Sequence, residues 1–242
     1  MLNGAAHAAD EHGYALILAP SDVDPSALES FAVGGVLLID PAGDEPIFAQ
    51  LQMLSRIVTV GRPQAFEGAV AVVDNDHFGA ARKVMDHLSG SGYRAPAVIV
   101  SDLTRSYVTD IIGGYRSWAD ENGVVPIVID VSQSESMAEV FDVLFDRKAD
   151  SVYACSEYLA LDVLQEARRR NLIVPNQLGL CGGVDSGILQ LTSPQVSGVY
   201  LHPREIGRRA IEVLIELVEG RAISGDVQVP ADLAIRESTR RN

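Results

Sequence analysis

The feature that most constrains this chain is the alternation of short, mostly apolar runs with stretches of helical period. The runs are YALILA (14 to 19), GGVLLID (34 to 40), RIVTV (56 to 60), VAVVD (70 to 74), APAVIVS (95 to 101), VPIVID (125 to 130), SVYAC (151 to 155), LGLCG (178 to 182) and SGVYL (197 to 201). A strand with one face in water alternates apolar with polar residues. A run that is apolar on both faces needs cover on both, which is the condition of a parallel sheet between helical layers. The intervening segments supply that cover. Phe78, Ala81, Val84, Met85 and Leu88 share one helical face, as do Val108, Ile111, Ile112, Tyr115 and Trp118. Met137, Val140, Phe141, Leu144 and Phe145 share another, and Leu159, Ala160, Val163, Leu164 and Ala167 a fourth. A last helix opens at Pro203 with Glu205 in its first turn, buries Ile206, Ala210, Val213, Leu214 and Leu217, and stops at Gly220. Strand, helix, strand, helix in this order predicts an α/β fold with doubly wound parallel sheets.

Charge and composition narrow the partners. The 33 acidic residues outnumber the 19 Lys plus Arg, for a formal net charge of −14 spread without a long single-sign run. That sign opposes direct binding of nucleic acid, whose affinity comes mainly from cations that neutralise phosphates. Two cysteines, Cys155 and Cys181, do not suggest a disulfide scaffold. The opening residues MLNGAAHAADEHGY carry neither a basic nor an apolar signal region, and the apolar runs are too short to cross a bilayer. A cytoplasmic protein without a membrane anchor is expected. His7, His12, His77, His87 and His202 show no metal-ligand spacing, and neither a nucleophile elbow nor a phosphate loop with its lysine is present. No enzyme activity, metal or cofactor is therefore expected.

Five stretches, in order, resemble the effector domain of the lactose-repressor (LacI/GalR) family of transcriptional regulators. VVDNDHFGAARKVMDHLSGSGYRAPAVIVS is similar to the family's passage of Asp-Asn, small residues, helix and L-x-x-x-G-(H/Y). IIGGYRSWADENG resembles its G-Y-R-x-A/W helix, and SVYACSEYLALDVLQEARRRNLIVPNQLGLCGGVDS its N-D-x-x-A-x-G, G-x-x-V-P, G-F-D-D passage. LTSPQVSGVYLHPREIGRRA looks like T-P-P-x-T-T-V-x-x-P-x-x-x-G-x-x-A, and VPADLAIREST the P-x-L-(V/I)-x-R-x-S ending. The resemblance implies two doubly wound lobes of the periplasmic-binding-protein kind, joined by three crossings near Asn75, His202 and Gln228, with a ligand held in the cleft between them. The N-terminal lobe would comprise residues 1 to 75 and 203 to 228, the C-terminal lobe 76 to 202 and 229 to 242. It further implies a homodimer that reaches operator DNA only through a headpiece not found in these residues. The alternative on the same fold is the solute-binding protein of a sugar ABC transporter. The opening helix LNGAAHAADEHG also stands where the family's first strand has already passed, so that central strand is expected to lie upstream.

The same resemblance, with the chemistry of the residues, singles out a ligand site at strand ends. Arg105 lies nine residues before Gly114, where purine-repressor-like members place an arginine that grips effector; its fork suits a carboxylate, phosphate or sugar diol. A plain solvent-facing loop arginine is the alternative. The family's other arginine falls on Ile111, which puts a standard hexose in doubt, and Asp110 is the adjacent polar substitute. Tyr153 stands where relatives stack an aromatic on ligand, or is ordinary core. Ser156 and Glu157 replace the family's Asn-Asp pair, or serve as helix cap and first-turn acid. Asp185 in CGGVDSG matches the family's aspartates loosely, with glycines that let backbone approach a ligand, or forms a turn. Asp74 lines the site with Asn75 or ends its strand, and Arg62 reaches in from the end of another. The expected effector is a small polar molecule: a sugar, sugar phosphate or nucleoside-like compound.

Overall fold

The structure, a computed structural model, describes residues 1–19, 33–41, 56–63, 70–222 and 225–241. In chain order the elements are α1 (Leu2–Glu11), β1 (Val36–Ile39), β2 (Ile57–Val60), β3 (Ala71–Asn75), α2 (His77–Gly90), β4 (Pro96–Val100), α3 (Ser106–Asn122) and β5 (Ile127–Asp130). There follow α4 (Met137–Asp146), β6 (Ser151–Ala154), α5 (Glu157–Arg169), β7 (Gly179–Gly182), α6 (Gly187–Gln190), β8 (Ser197–Tyr200), α7 (Pro203–Val218), β9 (Val227–Val229) and β10 (Asp232–Ala234). They divide into two units. The first holds Met1–Asn75, Thr104–Ser106 and His202–Pro230, and the second Asp76–Leu103, Tyr107–Leu201 and Ala231–Asn242.

The first unit contains a sheet of order β1-β2-β3-β9 in which every pairing is parallel. Asn75 pairs with Val229, which keeps Val229 in this unit. Its core joins Val58, Val60 and Val73 from the strands to Ala5, Ala8 and Ala9 of α1 and Ile206, Ala210 and Leu214 of α7. The two helices lie almost backbone to backbone. A Cβ on Gly207 would stand 2.3 Å from the Met1 carbonyl oxygen, and one on Gly4 2.0 Å from that of Arg204, so only glycine permits the approach.

The second unit has the order β10-β8-β7-β6-β4-β5, parallel except for the antiparallel edge pair β10 and β8. Every residue of β4, β6 and β7 is buried, as the doubly apolar runs predict for central strands. Ala81, Val84, Met85 and Leu88 of α2, and Leu159, Ala160, Val163, Leu164 and Ala167 of α5, supply the facing layers. Tyr115 of α3 ties the interior together: its hydroxyl donates to the Pro96 carbonyl at 2.5 Å and accepts from the Ile127 N–H at 2.9 Å. Phe145 and Phe78 fall outside the core expected from helical spacing. Both are more than 40% exposed, and Phe145 lies under the Arg170 guanidinium, 5.4 Å from its centroid.

Two sequence expectations change here. YALILA forms no strand: residues 14 to 19 lack regular structure, and Leu16, Ile17 and Leu18 are 40, 54 and 74% exposed. Apolar runs become strands only when a neighbour takes their backbone hydrogen bonds, and among the described residues none pairs with this one. Conversely, β9 and β10 are three-residue strands in a stretch whose sequence carries too short a period to reveal them.

Candidate functional site

A parallel sheet directs the ends of its strands and the beginnings of the following helices to one edge, where polar side chains and backbone dipoles gather. Each unit has such an edge.

In the first unit it collects Asp40 after β1, Arg62 after β2, Asp74 and Asn75 at the end of β3, and Arg105 from the 104–106 segment. Arg105 is half-buried, and its guanidinium donates to the Asp40 carbonyl at 2.5 Å. Asp40 is in left-handed backbone conformation (φ 49°), which turns the chain after β1 and aims that carbonyl. Asp74 and Asn75 are 8 and 6% exposed. The Asp74 carboxylate accepts from the Asn75 N–H at 2.8 Å, and the Asn75 amide donates to the Val229 carbonyl at 3.2 Å, locking β3 to β9 at the edge. Arg62 instead pairs with Asp226 at 2.6 Å on an open surface, both side chains being about half exposed. Thus Arg105, Asp74 and Asn75 stand on one organised edge, while the guanidinium of Arg62 is engaged at its margin.

In the second unit the candidates separate further. Ser156 caps α5, its hydroxyl accepting from the Leu159 N–H at 3.2 Å, and Glu157 is the acid of the first turn. Tyr153 lies in the core at 1% exposure, and burial drives its hydroxyl pKa well above 10. Its ring packs among core side chains on a central strand, as the ordinary-core alternative has it. Asp110 is half-buried on α3. Its neighbour Ile111, where the family has an arginine, is 1% exposed among core residues.

Asp185 is held by Arg236 in a two-pronged pair, with N to O distances of 2.8 and 2.9 Å and side-chain exposures of 8 and 17%. Arg236 also donates to the Val196 carbonyl at 3.1 Å. The carboxylate is thereby used to fasten the C-terminal segment to the sheet. The glycines before it admit the chain's own backbone: a Cβ on Gly183 would come within 2.2 Å of the Cys155 carbonyl oxygen. His77 and Tyr107, at the first turns of α2 and α3, bring their rings to 5.6 Å of each other. Sequence reasoning passed over both, and over Asp40, although Asp40 directly follows β1 and the two rings stand in the first turns of the helices after β3 and β4. Among the described residues no group of His, Cys, Asp and Glu could hold a metal ion, and no helix is long and apolar enough to cross a membrane. Cys155 and Cys181 are buried free thiols, both pushed up in pKa chiefly by desolvation.

A domain on this plan, with polar groups gathered at the ends of parallel strands in two α/β units, is a small-molecule-binding module of a known kind. The profile of the periplasmic binding protein-like domain matches residues 85–239, and the chain belongs to that family. Its relatives are lactose-repressor-type transcriptional regulators. It is 26% identical to the HTH-type transcriptional regulator CelR of Thermobifida fusca over 97% of this chain and 74% of the relative. With the regulator DegA of Bacillus subtilis the identity is 24%, over 96 and 73%. The same architecture appears in a CelR–cellobiose complex, with TM-score 0.84 and 24% identity over 98% of this chain and 77% of that one. A probable maltose operon repressor of a Staphylococcus gives TM-score 0.87 at 20% identity, covering all of this chain and 90% of the other. These relatives are named as regulators rather than enzymes or transport components.

Proposed function

We propose that the chain is the effector-sensing and dimerisation core of a lactose-repressor-type regulator. In this reading a small polar molecule of the sugar, sugar phosphate or nucleoside class binds at the strand-end edges and shifts the population between two arrangements of the domain. A cytoplasmic homodimer transmits that shift to operator DNA through a headpiece carried outside these residues. The observation that carries the reading is the match to helix-turn-helix regulators along nearly the whole chain. The net charge of −14 agrees with leaving DNA contact to another segment. Two structural neighbours are complexes with cellobiose and with D-xylulofuranose, which makes sugars the first class to try. Arg105 is the side chain assigned to grip the ligand, supported by Asp74, Asn75 and Asp110. Ile111 replaces a charged group with a core residue, so the ligand differs from a standard hexose in what it offers that position.

Thermal-shift measurement against mono- and disaccharides, sugar phosphates and nucleosides tests this. A ligand from one of these classes should raise the melting temperature, and Arg105→Ala should weaken its binding by about 10-fold or more, the worth of a charge-assisted hydrogen bond. Unchanged affinity in that variant refutes the role of Arg105. Silence across all the classes refutes the sensing reading.

A further inference from the structure

In the second unit the chain ends as a strap along the sheet. Strand β10 pairs antiparallel with β8, and a single helical turn at Glu237–Thr239 follows it. Hydroxyl groups fasten this turn. The Arg236 N–H donates to the Ser197 hydroxyl at 2.8 Å, the Ser197 N–H donates to the Ser238 hydroxyl at 2.8 Å, and that hydroxyl donates to the Leu180 carbonyl at 2.5 Å. Ser197, Ser238 and Thr239 are all 0% exposed. One titratable ring closes the cluster: His87 of α2 has Nε2 at 2.8 Å from the Thr239 Oγ1, which lies 2.7 Å from the Ser197 Oγ.

A hydroxyl has one proton to give, so the row of His87, Thr239 and Ser197 has a direction. With His87 neutral and its proton on Nδ1, Ser197 donates to Thr239 and Thr239 donates to Nε2, and both protons lie in bonds of 2.8 Å or less. Protonation of Nε2 reverses the row. His87 then donates to Thr239 and Thr239 to Ser197, which leaves the Ser197 proton only the Arg236 carbonyl at 3.4 Å. The surrounding charges add to that cost. Arg240 follows Thr239 on the strap, and Lys83 stands one turn before His87 on α2, its ammonium donating to the Ala231 carbonyl at 2.8 Å. The carboxylates are placed elsewhere: Asp86 accepts from the Trp118 indole at 2.8 Å, Glu237 accepts from the Gln195 N–H at 2.8 Å, and Asp232 of β10 is exposed. Arg241 lies over the Tyr93 ring, and β4 and β8 carry no charged side chain. Burial first, and Arg240 second, lower the His87 pKa from 6.5.

We propose that His87 is a proton sensor for the C-terminal strap: neutral, it completes the hydroxyl row and keeps residues 236–240 docked, and protonated, it reverses the row and loosens them. A histidine with a folded pKa below its unfolded value contributes stability that is complete above pH 6.5 and is lost as pH falls through the folded pKa. The strap also carries Arg236, whose guanidinium holds Asp185. Acid therefore frees the Asp185 carboxylate, and the device couples proton concentration to the end of β7 without a ligand.

The test uses the full 242-residue chain. Nitrogen-15 NMR of the imidazoles should show His87 with its proton on Nδ1 at neutral pH and a titration midpoint below 6.5. Amide exchange at Ser197, Arg236 and Ser238, corrected for the intrinsic effect of pH, should show strap opening that rises by about 3-fold or more between about pH 7.5 and about pH 5.5, within the roughly tenfold per pH unit that one proton permits. The amides of β4 should not respond. His87→Gln keeps a hydrogen-bonding tip that cannot titrate, and should make strap opening independent of pH. Thr239→Val cuts the row with His87 in place, and should raise opening at neutral pH while blunting the response to acid. The wild-type measurements decide the matter even where a variant fails to fold. A His87 midpoint at or above 6.5 overturns the proposal, as does wild-type strap opening that stays constant across the window. So does a full acid response in His87→Gln, which would move the sensor to another group such as Glu237.

Discussion

The Asp185 and Arg236 pair offers a measurement that separates a structural carboxylate from a ligand-binding one. In Asp185→Ala the Arg236 guanidinium, 17% exposed, loses both oxygens of its partner and keeps a contact to the Val196 carbonyl. Removing one member of a buried pair costs about 3–5 kcal/mol, because the remaining charge stays desolvated without compensation. For a unit of this size each kcal/mol moves the melting temperature by about 3 °C, so a loss of about 10 °C is expected. The sole tryptophan, Trp118, is 2% exposed in the core of this unit, so urea unfolding followed by its fluorescence reports the right part of the molecule. The double variant Asp185→Ala, Arg236→Met removes the stranded charge and should recover much of the stability, giving a coupling energy above about 2 kcal/mol. A single-variant cost below about 1 kcal/mol with negligible coupling would refute the structural assignment and return Asp185 to the list of ligand contacts.

Three further outcomes are expected. Tyr115→Phe leaves the Pro96 carbonyl and the Ile127 N–H unpaired inside the second unit and should cost about 2–4 kcal/mol in denaturant unfolding, whereas a near-neutral result would show that water replaces the hydroxyl. Restoring the family's arginine with Ile111→Arg, at a position 1% exposed, should destabilise by about 3–5 kcal/mol and create no sugar affinity by calorimetry. Glu166 is held down to about 2 by hydrogen bonds from Arg169 and Arg170, against an ordinary 4.5. Its stabilising contribution is complete above pH 4.5 and is lost as pH falls from 4.5 toward 2, so Glu166→Gln should flatten the acid limb of a stability–pH curve in that window.

Much of the fold was legible because its signals are local. Doubly apolar runs at β4, β6 and β7 and the helical stripes of α2 and α5 mark buried central strands and their covering layers, and neither needs knowledge of what lies across the sheet. The candidate site was less legible. The places of Arg105, Asp74 and Asn75 after strand ends could be read locally, but that Tyr153 packs in the core and Asp185 pairs with Arg236 could not. Which way a strand-end side chain faces depends on register, and register is set by pairings far apart in sequence.

The sequence by itself therefore determined the α/β class, the identity of most elements and the polar character of the strand ends, all consequences of period and residue type. Tertiary structure decided the rest. It assigned Asp185 to Arg236, 51 residues away, placed Ile111 inside the core, and left YALILA without a strand. Each of these turns on which partner is present, and a hydrogen bond or ion pair has no meaning until its second member is in place.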